Sequence, residues 1–373
     1  VNFSELDLQF MQRALELAAL GRYTTSPNPN VGAVIVKDGQ IIGEGYHKQA
    51  GGPHAEVFAL RQAGEAAQQA TCYVTLEPCS HYGRTPPCAL ALIAAGVKRV
   101  VVAMLDPNPL VAGNGIRMLQ DAGILVETGL LQAEAMALNP GFLHKMRSKR
   151  PFVRLKLAAS LDGAIALANG DSQWLTGSAA REDVQLLRAQ SCAILSTAET
   201  VLADGAMLNV RSAAVTPLEN GQIRQPLRII LDSRGRLTGA EPMFSAGGDI
   251  LLVHQIGLQL PDINQAAVQV QRVALPLNRE LRFDLTAVLD LIAARAINAV
   301  WVEAGSRLAT EFWNLQLVDE LVIYQAPMLL GRDAQPMLHL PVLNCLRDAP
   351  RWQWQDVRLI GQDLRMIARL KGY

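Results

Sequence analysis

Between residues 70 and 129, short apolar runs alternate with segments of helical period. ATCYVTLEP, KRVVVAML and ILVETG read as strands; CALALIAAG and GNGIRMLQDAG between them read as helices. Few architectures accept that order, because strands separated by helices bury their apolar side chains in a sheet that the helices cover. An α/β sheet is the expectation. Upstream, NVGAVIV and QIIGEGY flank Lys37-Asp38-Gly39, and Asp-Gly between two apolar runs predicts a hairpin. HAEVFALRQAGEAA then predicts a helix. At 373 residues, half of them hydrophobic, the chain exceeds one ordinary core, so about two domains are expected. KMRSKR at 145–150 carries four basic residues in six with no apolar period and is followed by Pro151. It reads as a solvated linker and places the boundary between domains 1–148 and 149–373. PFVRLKLAAS beyond it opens a second, β-rich α/β segment, and no internal repeat or low-complexity tract is evident.

Formal net charge is zero, 34 Lys plus Arg against 34 Asp plus Glu, so bulk charge argues against nucleic acid as a partner. VNFSELDLQF lacks the basic start and apolar run of a secretory signal, and no apolar stretch reaches membrane-spanning length. A soluble cytoplasmic protein without a membrane partner is expected, and homo-oligomerisation is left open. Five cysteines, Cys72, Cys79, Cys88, Cys192 and Cys345, are an odd number without framework spacing. Disulfides are therefore disfavoured, and a metal or catalytic role is favoured for some of them.

EPCSHYGRTPPC at 77–88 sets two of these cysteines at the ends of a proline-stiffened loop. A wide pair needs a third ligand from elsewhere before it reads as a metal site. GGPHAEV supplies one: His54 and Glu56 stand at the start of the predicted helix, with Pro53 suited to its first turn. Catalytic zinc takes three protein ligands and keeps one position open for water, a count that His54, Cys79 and Cys88 meet. Glu56 is then the non-ligand carboxylate that relays a proton from activated water to departing ammonia. His-x-Glu followed by Pro-Cys-x-x-Cys marks the zinc nucleobase deaminases. Here eight residues, not two, separate the cysteines.

TSPNPNVGAVIV, GYHKQAGGPHAEV, LEPCSHYGRTPPC, GVKRVVVAMLDPNPLVAGNG and PFVRLKLAASLDGAIA resemble the bifunctional riboflavin-biosynthesis enzymes that join a pyrimidine deaminase to a ribosyl reductase. The likeness spans essentially the whole chain, and the long cysteine loop is its most specific piece. It implies a cytidine-deaminase-like α/β/α domain followed by a dihydrofolate-reductase-like α/β domain, with zinc and NADPH as cofactors. It also implies deamination of 2,5-diamino-6-(5-phosphoribosylamino)pyrimidin-4-one at ring position 2, then hydride delivery to C1 of the opened ribosyl group. Asn28, His47, His81 and Arg84 match the positions that contact the first substrate. Asn28 can read a ring edge, whereas the other three can donate to ring or phosphate oxygens.

For the second half the resemblance assigns Ser172, Arg188, Leu208, Arg211 and Glu303 to the substrate. It assigns Ala158, Trp174, Thr200, Asp204, Ser233 and the segment Gly305, Ser306, Arg307 to the cofactor. Lys156 and Asp204 are the candidates for proton handling, and Arg188 and Arg211 for clamping the 5-phosphate. Asp232, Ser233 and Arg234 end a predicted strand where a 2′-phosphate could receive donors, which favours NADPH over NADH. Two departures from the family pattern leave loop geometry open: Gly205-Ala206 after Asp204, and Ala304 before Gly305. Gly113-Asn114-Gly115 follows a strand and opens a helix as a dinucleotide fingerprint does, but Met118 stands where the third glycine belongs. It reads as an ordinary loop. Two rivals remain at this point: a nucleic-acid base deaminase, against which the balanced charge argues, and a second domain that senses nucleotide without turnover.

Overall fold

The computed structural model of the chain describes residues 2–82, 86–108, 112–263 and 267–370. Contacts divide it into two compact units, residues 1–149 with 216–222 and residues 150–215 with 223–373.

In the first unit, α1 (Glu5–Leu20) starts at a capping box in which the Ser4 hydroxyl accepts from the Asp7 amide and the Asp7 carboxylate from the Ser4 amide. The strands β1 (Gly32–Lys37) and β2 (Gln40–Tyr46) form the expected hairpin, with Asp38 and Gly39 both at positive φ in its turn. After them come α2 (Ala55–Ala63), β3 (Thr71–Val74), α3 (Cys88–Ala94), β4 (Arg99–Val102), α4 (Asn114–Asp121), β5 (Leu125–Thr128), α5 (Gln132–Leu138) and α6 (Pro140–Ser148). The sheet runs β2-β1-β3-β4-β5, parallel from β3 to β5 and antiparallel in the other pairings. Alternate residues face opposite sides. Ile35, Cys72, Val74, Val100 and Val102 meet α2, α3 and α4, whereas Val34, Val36, Tyr73 and Val101 meet α1, α5 and α6. KMRSKR is not a linker throughout: its first four residues complete α6, and Lys149 closes the helix at φ 66. Basic residues in a last helical turn favour the negative end of the helix dipole, which a reading for apolar period overlooks.

The second unit contains β6 (Phe152–Ala159), β7 (Ala164–Ala166), α7 (Ser178–Ala189), β8 (Ala193–Thr197), α8 (Ala198–Asp204), β9 (Leu227–Asp232), β10 (Ile250–Gln255), β11 (Val270–Leu275), α9 (Leu285–Ala293), β12 (Ala299–Glu303), α10 (Ser306–Asn314), β13 (Glu320–Gln325), β14 (Gln335–Pro336), β15 (Trp352–Ile360) and β16 (Asp363–Leu370). Nine strands form one sheet in the order β11-β10-β9-β8-β12-β6-β13-β16-β15. It is parallel as far as β13 and antiparallel at β16 and β15. Ala193, Leu195, Val300 and Val302 pack with α9 and α10, and Ile194 and Trp301 pack with α7 and α8. The chain leaves β8 toward β9 but leaves β12 toward β13, on the other side. The carboxyl ends of β8 and β12 thus flank a topological switch point, where open α/β sheets bind ligands.

Candidate active sites

Three donors converge in the first unit. His54 is the residue that caps α2, Cys88 is the first residue of α3, and Cys79 ends the turn after β3. The His54 Nδ1 lies 3.6 Å from the Cys79 Sγ and 3.3 Å from the Cys88 Sγ. All three ligand atoms fall within 4.8 Å of one another. Pro53 precedes the cap and is outside the first helical turn, two positions before the first helical residue Ala55. Glu56, the second residue of α2, is buried, and its Oε2 has no hydrogen-bond partner. Burial pushes its carboxyl above the ordinary range. The Cys88 thiol and, against burial, the His54 imidazole hold the Cys79 thiol well below its ordinary range. One nitrogen and two sulfur donors beside an orphaned buried carboxylate oxygen fit a zinc ion with an open coordination position.

His47 departs from its expected role. It is 3% exposed, and both ring nitrogens are engaged, Nδ1 with the Pro53 carbonyl at 3.0 Å and Nε2 with the Asn28 Nδ2 at 3.0 Å. A carbonyl can only accept, so Nδ1 carries the proton and Nε2 accepts from the amide. Burial also lowers the imidazole's affinity for a second proton. His47 therefore orients Asn28 and sets its ring edge-on to His54, centroids 5.5 Å apart, with no N–H left to offer an oxygen. His81 is exposed at the start of the loop. Arg84 lies outside the described residues.

In the second unit, Glu303, the last residue of β12, is the register partner of Lys156, inside the adjacent parallel strand β6. Arg188, in the last turn of α7, grips Glu303 with two nitrogens, Nη2 at 2.8 Å, and gives Nη1 to the Asn209 carbonyl at 3.1 Å. Its fork is engaged. Of the two arginines expected at the 5-phosphate, only Arg211 is exposed, with Nη1 bonded to the Asn209 Oδ1 at 2.9 Å. The Trp301 indole donates to Glu303 at 2.6 Å. Burial would raise the Glu303 carboxyl, but Arg188, then Lys156 and Trp301, hold it at about 2. Burial lowers the Lys156 ammonium against the pull of Glu303 and Asp204, which keeps its proton transferable. Leu208 is buried at φ 51. Asn209 and Trp301 were not singled out from sequence. The signal for Trp301 was its place two residues before Glu303, on the same strand face.

Residues expected at the cofactor stand around the same strand ends. Ala158 is two residues beyond Lys156 on β6, Thr200 is in α8 with its hydroxyl 3.2 Å from that of Thr197, and Ser233 follows β9. Asp204 ends α8 and accepts from the Gln173 amide at 3.4 Å. Gly205 next to it takes φ 57, so the departure from the family's residue there serves as a left-handed helix cap. Ser172 is half-buried; Trp174 is 68% exposed beneath the Arg181 guanidinium, 4.5 Å from the ring centroid. Gly305 caps α10, whose first residues are Ser306 and Arg307, and the Ser306 hydroxyl meets the His339 Nε2 at 3.2 Å. The Asp232 carboxylate is 1% exposed and accepts from the Leu237 amide at 3.0 Å. The accepting oxygen, Oδ2, holds the turn, whereas Oδ1 is buried without a hydrogen-bond partner.

Comparison with known proteins follows the same division. Residues 4–104 match the cytidine and deoxycytidylate deaminase zinc-binding region, and residues 151–366 match the RibD C-terminal domain. The chain is 49% identical to the riboflavin biosynthesis protein RibD of Haemophilus influenzae, with 100% of both covered. It is 50% identical to the protein of that name from Escherichia coli, covering 96% of this chain and 98% of the other. Among solved structures, Acinetobacter baumannii RibD superposes with a TM-score of 0.88 at 46% identity, over 98% of this chain and 99% of that one. A diaminohydroxyphosphoribosylaminopyrimidine deaminase/5-amino-6-(5-phosphoribosylamino)uracil reductase from Thermotoga maritima superposes with a TM-score of 0.84 at 34% identity, over the same shares.

Proposed function

The chain belongs to the RibD family of riboflavin-biosynthesis proteins, and from that membership we propose how its residues divide the two reactions of a bifunctional deaminase and reductase. The boundary is drawn at 148/149. The first substrate is 2,5-diamino-6-(5-phosphoribosylamino)pyrimidin-4-one, whose 2-amino group is replaced by oxygen from water with release of ammonia. His54, Cys79 and Cys88 hold zinc, which when bound supplies Lewis-acid activation of the attacking water. Glu56 takes a proton from that water and returns it to the departing amine; a buried carboxyl with a raised proton affinity and an unpartnered oxygen suits both transfers. Asn28, held by His47, reads the ring edge, and His81 with Arg84 receives the ring or phosphate oxygens.

In the second reaction NADPH supplies hydride to C1 of the opened ribosyl group of 5-amino-6-(5-phosphoribosylamino)uracil, giving the ribityl product. Lys156 donates the accompanying proton near Glu303, with Asp204 assisting, and Arg211 grips the 5-phosphate beside Ser172 and Leu208. Arg188 keeps Glu303 ionised. Ala158, Trp174, Thr200, Ser233 and the Gly305–Arg307 turn receive the cofactor. Ser233 and Arg234 face its 2′-phosphate, to which a hydroxyl and a guanidinium can donate. Small phosphoribosyl pyrimidines are the partners, nucleic acid is not, and the location is cytoplasmic. Among the described residues, no helix is long and apolar enough to cross a membrane.

The observation that carries this reading is the convergence of three metal donors beside buried Glu56. The test incubates the zinc-loaded chain with the diamino substrate, with and without NADPH or NADH, and identifies products by mass. Deaminated product alone is expected without nicotinamide, and ribityl product with NADPH in preference to NADH. Cys79→Ala should lose zinc. Full zinc occupancy in that variant overturns the ligand set.

A further inference from the structure

Glu77 takes no part in the chemistry above, yet its side chain is unusually well held. It is 3% exposed. Its Oε1 accepts from the amides of Gly115 at 3.0 Å and Ile116 at 3.3 Å, and its Oε2 from those of Gly113 at 3.0 Å and Asp106 at 3.2 Å. Three of these N–H groups open α4, where unpaired amides and the helix dipole favour negative charge. Gly113, at φ 79, turns the chain so that they converge. The Gly113-Asn114-Gly115 turn that looked like a phosphate fingerprint does bind an anion, and that anion is the protein's own carboxylate.

A second contact fixes the same spot. A Cβ on Gly115 would lie 2.0 Å from the Pro78 carbonyl oxygen, so only glycine lets α4 abut the peptide that joins Pro78 to Cys79. The Glu77 amide also donates to the Met104 carbonyl at 3.0 Å, tying the strand end to the segment after β4. Cys79 comes two residues later, its Sγ accepting from the Cys88 amide at 3.2 Å and its carbonyl from the Ala89 amide at 3.2 Å.

We propose that Glu77 and the Gly113-Asn114-Gly115 turn form a carboxylate clamp that sets the Cys79 sulfur opposite His54 and Cys88, and thereby fixes the affinity and geometry of the metal at the deaminase centre. Glu77 is a positioning residue, and the inference rests on the ligand set proposed above. All four partners are donors, so an ionised carboxylate satisfies them and a neutral amide does not: the NH2 of a glutamine would point at two N–H groups. Partners that orient a ligand in this way are worth about 10–100-fold in metal affinity.

The experiment uses the full chain loaded with Zn2+ or Co2+ and compares wild type, Glu77→Gln, Gly115→Ala and Cys79→Ala. It reads chelator competition, the cobalt–thiolate absorption bands, deamination at saturating metal, thermal unfolding and circular dichroism as the check on folding, and NADPH oxidation with the deaminated substrate as a control for the second unit. Glu77→Gln should bind metal about 10–100-fold more weakly, shift the cobalt bands and lose deamination even when loaded, with reduction intact. A folded Glu77→Gln chain with wild-type affinity and bands overturns the proposal. If that variant fails to fold, Gly115→Ala decides on the same readouts, because its methyl displaces the same loop while the carboxylate stays. Wild-type affinity there also overturns it. Cys79→Ala separates the two layers: retention of zinc in that variant sinks the ligand set itself, whereas loss of zinc there with none in Glu77→Gln sinks only the clamp.

Discussion

Arg188 and Glu303 illustrate what single residues reveal and conceal. Each was singled out from sequence, by resemblance, as a candidate site residue, but their mutual grip was not legible, because 115 positions separate them. The candidate metal donors His54, Cys79 and Cys88, with the carboxylate Glu56 beside them, were more legible, because they lie at the ends of short local elements. Removing the Arg188 guanidinium leaves a buried carboxylate without its cation, which costs about 3–5 kcal/mol. Arg188→Ala should therefore lower the stability of the second unit and abolish reduction, and Arg188→Lys should recover charge without the fork and restore activity only in part. The pH dependence has a definite sign. Glu303 is held at about 2 in the folded chain, below the value of about 4.3 expected when unfolded, so its contribution is fully present above the higher value and fades as pH falls toward the lower. Urea midpoints of wild type and Arg188→Ala should differ widely at pH 6, and the gap should narrow as pH falls below about 4 toward 2. A gap that stays equal over that fall would contradict the assignment.

At the level of elements, local signals carried far and long-range ones did not. The β1–β2 hairpin, the α2 start and the strand–helix alternation from β3 to β5 were readable because turn chemistry and period are local properties. The insertion of β12 between β8 and β6 was not, since strand order depends on pairings across more than a hundred residues. One element contact has a direct consequence for the metal centre. On β2, a Cβ at Gly45 would stand 2.3 Å from the carbonyl oxygen of Ala55, the first residue of α2. The absent side chain lets α2 press its first turn, with His54 and Glu56, onto the sheet. Gly45→Ala should lift that turn, at an overpacking cost of about 1–3 kcal/mol. Zinc content and deamination should fall together, with reduction unaffected. Metal analysis, thermal melting and the two half-reactions check this; a folded variant with full zinc and full deamination would show that the close approach is not what seats the helix.

For the molecule as a whole, the question is whether two chemistries on one chain depend on one another. Every side chain proposed as a zinc ligand or for proton transfer beside it lies before residue 90, and every group proposed for hydride transfer lies after residue 150, on a separate sheet with its own core. Proton transfer beside a metal and hydride transfer from nicotinamide draw on different preorganised donors, so loss of one set should leave the other barrier within about 1 kcal/mol, less than a tenfold rate change. Glu56→Gln should keep zinc, lose deamination by about 100-fold or more, and still oxidise NADPH when given the deaminated substrate. Lys156→Ala and Asp204→Asn should still release ammonia from the diamino compound while reduction fails. The measurement is each half-reaction in each variant at saturating substrate, with fold and metal content verified first. If one substitution abolishes both activities in a folded, zinc-loaded chain, the two sites are not independent, and a residue assigned here to one reaction serves the other.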